Sequence, residues 1–69
     1  MVHLPPHYAR WKIEPIRFIT ENDLDWCRGN VIKYLMRFDA KNGMEDLKKA
    51  KRYLEMLIEK ENNNADWWR

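Results

Sequence analysis

Asn30, Lys33, Tyr34, Arg37 and Lys41 follow one another at the three- and four-residue intervals that gather side chains on one face of a helix. At about 100° per residue they fall within roughly 100° of arc. The stripe holds three cations, an amide and a phenol, and no carboxylate. A guanidinium fork and ammonium groups match phosphate oxygens, and a tyrosine ring offers a surface to a planar base. The same residues also suit a solvated face whose long side chains lie over apolar neighbours. Spacing alone leaves both readings open.

A second strip follows. Asp46, Lys49 and Tyr53 stand at i, i+3 and i+7 and adjoin an apolar stripe of their own helix. In an antiparallel pair this strip faces Asn30–Arg37 across a groove and converges cations, one carboxylate and two tyrosines. Asp46 has three roles open to it: complementing the helix dipole, pairing with Lys49 or Arg37, or touching a nucleotide-bound Mg²⁺, which needs only one or two protein carboxylates. His7 and Tyr8, after Pro5-Pro6, either add a ring and a phosphate contact or belong to an arm that packs on the bundle.

The elements that must position these groups are helical. Residues 1–12, with Pro5 and Pro6, read as an extended arm. Pro15 suits a first helical turn, and Ile16, Phe18 and Ile19 give a short helix over 15–21 an apolar side. Glu21-Asn22-Asp23 is a break with capping residues. A long helix then spans 24–40, with Leu24, Cys27, Val31, Leu35 and Phe38 gathered roughly 120° from the polar stripe and expected to line the core. Lys41-Asn42-Gly43 is a tight link, and Glu45 and Asp46 favour the start of a helix over 44–61 with Leu47, Ala50, Leu54, Leu57 and Ile58 as its apolar stripe. So short a link implies an antiparallel pair. The polar Glu61-Asn62-Asn63-Asn64 stretch is expected to fray, and Trp67 and Trp68, in the 62–69 tail, to dock on a second subunit or on the first helix. The fold class is all-α, one domain over 1–69.

Bulk properties narrow the function. A chain of 69 residues builds a core worth only about 3–5 kcal/mol. Cys27 alone forms no internal disulfide, and with His3 and His7 it matches no zinc spacing. Oligomerisation is the remaining support, and 45% apolar residues with four Trp and four Met supply the surface for it. A net charge of +2 argues against nucleic acid as partner. No segment reaches the ~18 apolar residues of a membrane span, and a free thiol without a targeting segment points to a reducing cytoplasm. There is no P-loop, no His-Glu-x-x-His and no Ser/His/Asp set, so any catalysis rests on positioning and cationic stabilisation of phosphates.

The ordered motifs His7-Tyr8, Ile13-Glu14-Pro15-Ile16-Arg17-Phe18-Ile19, Gly29-Asn30-Val31-Ile32-Lys33-Tyr34-Leu35-Met36-Arg37, and Glu45-Asp46-Leu47-Lys48-Lys49-Ala50 with Tyr53-Leu54 resemble a small family of bacteriophage proteins labelled as a domain of unknown function. That family includes a podovirus nucleotide kinase without a P-loop, active on deoxynucleoside monophosphates and assembled as a large oligomer. The resemblance implies a nucleotide-binding phage protein in the host cytoplasm, with His7, Tyr8, Asn30, Lys33, Tyr34, Arg37, Asp46, Lys49 and Tyr53 at the matching positions. Lys33, Arg37, Lys41 and Lys49 are then expected to hold phosphates, Asn30 and His7 to orient them, Tyr8 or Tyr34 to meet the base, and Asp46 to hold Mg²⁺ or a cation. This chain is little more than the shared domain. Binding survives such shortening more readily than phosphoryl transfer, which needs donor, acceptor and metal in line. The alternatives are an oligomer that sequesters nucleotides or nucleotide-derived defence signals, and a helical module that binds a host protein.

Overall fold

The computed structural model describes residues 10–69; His7 and Tyr8 lie outside the described residues. Three helices follow in order: α1 (Pro15–Glu21), α2 (Trp26–Arg37), extended by a 3-10 turn (Phe38–Ala40), and α3 (Met44–Glu61). No strand occurs among the described residues, so the all-α expectation stands.

Pro15 starts α1, where its missing N–H forfeits no helical bond. Asn22 ends it, returning its backbone N–H and its side-chain amide to the carbonyl of Phe18 at 3.1 and 2.8 Å. Asp23 then takes the left-handed conformation at φ 51°, a region a short polar side chain tolerates. The long helix therefore begins at Trp26 rather than Leu24. Its cap is Asp25, whose carboxylate accepts from the N–H of Arg28 at 2.8 Å. It also ends at Arg37 rather than Ala40, because the chain tightens into the 3-10 turn. Arg10 reaches that turn, donating to the carbonyl of Met36 at 3.0 Å and pairing with Asp39. Gly43, at φ 54° and ψ −124°, reverses the chain into α3.

Helix α2 is the hub, packed against both α1 and α3, whereas the backbones of α1 and α3 stay more than 8 Å apart. Gly29 lets α1 approach: a methyl group on it would stand 3.0 Å from Ile19 Cγ2.

The line along which α2 and α3 meet corrects the expected core. Asn30, Arg37, Asp46 and Ala50 are buried, and Tyr34 and Tyr53 are half-buried beside them. Of the apolar stripe assigned to α2, Cys27 is buried and Leu24, Val31 and Phe38 are half-buried, but Leu35 is exposed. Of the apolar stripe assigned to α3, Ala50 is buried and Leu47 and Leu57 are half-buried, but Leu54 and Ile58 are exposed. Both helices are turned so that their polar strips, not the centres of their apolar stripes, face each other.

Beyond α3 the chain continues in turns over residues 62–69, with Trp67 N–H bonded to Asn64 O at 3.2 Å and the side chains of Asn64 and Glu59 joined. Trp67 lies beneath Lys60 of α3, 4.9 Å from ring centroid to Nζ. Trp68 remains exposed beside Arg69.

Asp25→Ala removes the α2 cap and is expected to cost about 1 kcal/mol. For a domain this small, that lowers the melting temperature by about 4–8 °C; thermal circular dichroism checks it, and an unchanged melt would show that α2 starts without this cap.

Candidate functional site

The α2–α3 seam is pinned at one end by a buried ion pair. Asp46 is fully enclosed, and Arg37 is only 8% exposed. Arg37 Nε lies 3.2 Å from Asp46 Oδ2, and Nη2 lies 3.3 Å from Oδ1, a two-pronged contact. Asn42 completes the shell from the connecting turn, its backbone N–H donating to Oδ2 at 3.3 Å and its amide to Oδ1 at 3.5 Å. Burial alone pushes the Asp46 carboxyl upward in pKa. The Arg37 and Asn42 hydrogen bonds and the Arg37 charge outweigh it, and the pKa lies below the ordinary carboxylate value.

One turn along, Tyr34 collects cations. Lys33 Nζ lies 4.3 Å from its ring centroid, Arg37 Cζ 4.7 Å, and Lys49 Nζ 5.3 Å. Tyr53 stacks on the same residue, centroids 6.0 Å apart and planes inclined by 9°. The electron-rich ring faces draw the cations together, each such contact being worth about 0.5–2 kcal/mol. Neither lysine has an ion-pair partner among the described residues, and neither tyrosine hydroxyl has a hydrogen-bond partner there. The cluster reaches solvent at Lys49, which is exposed, while Lys33 is half-buried. With Asp46 set against Arg37, two positive charges remain uncompensated among these four residues.

The structure thus brings together Lys33, Tyr34, Arg37, Asp46, Lys49 and Tyr53, six residues expected to converge from their spacing. Two others go elsewhere. Asn30 lies in the seam, but its amide donates to the Trp26 carbonyl of its own helix at 2.8 Å, so it supports α2. Lys41 is exposed in the turn and makes no hydrogen bond, ion pair or ring contact among the described residues. Of the three roles open to Asp46, the structure shows the ion pair with Arg37. A metal would have to displace Arg37 and Asn42 to reach either oxygen. No cluster of three His, Cys, Asp or Glu side chains suited to a metal occurs among the described residues.

Sequence reasoning offered Asn42 or Gly43 as the cap of α3; Gly43 holds that position, and the bonds of Asn42 to Asp46 were missed, as was Arg10. The hydrogen bond from Arg10 holds the Asp39 carboxyl below its ordinary pKa and ties residue 10 to the end of α2. Nothing in the spacing of Arg10 marks its partners, 26 and 29 residues on; the i,i+4 spacing of Asn42 and Asp46 across the start of α3 was the available signal for Asn42.

Breaking the buried pair is expected to dominate stability. Asp46→Ala leaves Arg37 uncompensated in the seam at a cost of about 3–5 kcal/mol, comparable with the whole stability of so small a core. The variant should be largely unfolded by circular dichroism, and a cooperatively folded one would show that the pair is dispensable. Because the Asp46 pKa is lowered by folding, its contribution is complete above the unfolded value of about 3.9 and is lost as pH falls through the folded value. Urea unfolding should therefore show stability steady near neutrality and declining below about pH 4.

No helix among the described residues is long and apolar enough to cross a membrane. No curated protein and no solved structure matches the chain. A family model does match, over residues 2–55, a span that contains every candidate site residue and ends within α3. On that match, which covers most of its length, the chain belongs to DUF3310, a family of proteins of unknown function.

Proposed function

We propose that the protein binds a nucleotide through its phosphates at the exposed edge of the α2–α3 seam. The observation that carries this reading is the convergence of Lys33, Arg37 and Lys49 on Tyr34, with the carboxylate of the seam, Asp46, enclosed and committed to Arg37. Like charges gathered without a compensating acid favour an anion. Lys33 and Lys49 meet the phosphates as ammonium donors, and the two tyrosine hydroxyls add neutral donors beside them. Arg37 sets the position of the seam and adds its charge from behind the ring. The faces of Tyr34 are already shared by three cations and Tyr53, so a base rests more readily against Tyr53 than against Tyr34. The resemblance to phage nucleotide-binding proteins supports the same ligand class and a place in the host cytoplasm. Mg²⁺ would then arrive with the phosphates and not through Asp46.

Binding, rather than phosphoryl transfer, is the reading these groups favour. Transfer needs a group that orients the acceptor as well as charge on the phosphates. Within this cluster the one carboxylate that might do so is held by Arg37 and Asn42.

Isothermal titration with nucleoside mono- and diphosphates tests this. Lys33→Ala and Lys49→Ala should each weaken binding about tenfold or more, the loss of one charge-assisted contact, while Lys51→Ala on the exposed face of α3 should not. Wild-type affinity in both site variants, or no binding by the wild type, would overturn the site. Conversion of a monophosphate to a diphosphate during incubation with a phosphate donor would replace binding by kinase activity.

A further inference from the structure

The cationic edge of the seam does not stop at Tyr34. On α3, Lys49, Tyr53, Met56 and Lys60 alone fall within a roughly 60° arc that holds no carboxylate, and each is exposed or half-buried. On α2, Trp26 stands seven residues before Lys33, on the same stripe, and is 74% exposed. Lys33 and Lys49 meet over one ring, which places the two stripes on one edge of the hairpin. The pairings of Arg37 with Asp46 and of Tyr34 with Tyr53 set the helices antiparallel, so Trp26 and Lys60 lie toward the same end of that edge. There Lys60 covers Trp67, with Nζ 4.9 Å from the ring centroid. Of the carboxylates nearby in sequence, Glu59 is bonded to Asn64 and Asp66 is paired with Arg69 at 3.9 Å. Glu61 falls about 100° from Lys60 around the helix.

We propose that this edge binds a short single strand of nucleic acid, with Lys33 and Lys49 on one phosphate, Lys60 on another, and bases resting on Tyr53 and Trp26. Such a ligand presupposes the phosphate site described above and extends it from one nucleotide to several. Eleven residues separate Lys49 from Lys60, about 16 Å along the helix. At the stacked rise of about 3.4 Å per nucleotide this distance takes about five nucleotides, and fewer when the strand is stretched. Cations spaced along an edge with aromatic rings among them hold single strands of any sequence, because every base has a face to stack and every link a charge to pair. A net charge of +2 is a sum over the whole chain. Locally this edge sets Lys33, Arg37, Lys49 and Lys60 against the enclosed Asp46, and it is the local field that an approaching strand meets. Lys60 and Trp67 lie beyond residues 2–55, so this end of the edge is built by residues outside the family pattern.

Isothermal titration of the full chain with thymidine monophosphate and with 5′-phosphorylated thymidylate oligomers of increasing length tests the proposal. Affinity should rise about tenfold or more from the monophosphate to the pentamer and then level off. The salt dependence of binding should steepen over the same range, as more counterions are released. Lys60→Ala and Trp26→Ala, both at exposed positions, should each weaken the pentamer about tenfold and leave the monophosphate unchanged. Should Trp26→Ala lose its helical circular dichroism, Lys60→Ala decides. Affinity that does not rise with length overturns the strand while the monophosphate site stands, and so does a pentamer held by both variants as by the wild type. Failure of the monophosphate and of every oligomer to bind removes the phosphate site and the strand with it. A pentaglutamate peptide bound as tightly as the pentamer would replace nucleic acid by an acidic protein segment.

Discussion

The buried pair of Arg37 and Asp46 is the interaction on which the rest of the structure depends. It joins the last turn of α2 to the first turn of α3, so each charge also sits at the helix end that favours its sign. Burying two charges is costly, and it is tolerated because both carboxylate oxygens are engaged by Arg37 and Asn42. The pair fixes the rotation of both helices. A hydrophobic seam tolerates sliding and rolling; a two-pronged ion pair with a third partner in the turn does not. Once Arg37 meets Asp46, the antiparallel course of the helices carries Tyr34 to Tyr53 and Lys49.

That rotation explains why a chain rich in apolar residues shows so many of them on its surface. Turning the polar strips inward turns Leu35, Leu54 and Ile58 outward. The arrangement reverses the usual preference for apolar contact, and its compensation is local: aromatic faces stand among the cations, and Ala50 allows close approach of the two backbones. The two lysines lie near one another over the ring they share.

Much of the fold was legible because its signals are local. Pro15, Gly43 and the acidic first turn of α3 mark helix ends through the backbone alone, and the bounds of α1 and α3 follow from them. The convergence of Lys33, Tyr34 and Arg37 with Asp46, Lys49 and Tyr53 was legible too, since one helical period on each strand of an antiparallel pair suffices to place it. The start of α2 was misplaced by two residues because three polar residues in succession can each cap. Asn22 closes α1, Asp23 turns the chain, and only Asp25 caps α2. The core was misjudged for a deeper reason. Periodicity gives the direction of each stripe but not which stripe faces a neighbour, and the energy of one buried ion pair decided that. Arg10 carried no signal because its partners lie 26 and 29 residues away on another element; Asn42 stands only four residues before Asp46, but just outside the helix, where i,i+4 periodicity is not read.

Helix α1 is seven residues long, about half the length at which an isolated helix becomes even marginally stable in water. Its order is borrowed from α2 across the contact of Ile19 with Gly29, with the Arg10 clasp just upstream. Its backbone stays more than 8 Å from that of α3, so among the described helices α1 rests its backbone on α2 alone. A short helix with one neighbour belongs to the part of a fold where local opening costs least, and a segment-by-segment difference in exchange protection between α1 and the α2–α3 hairpin is the expected consequence.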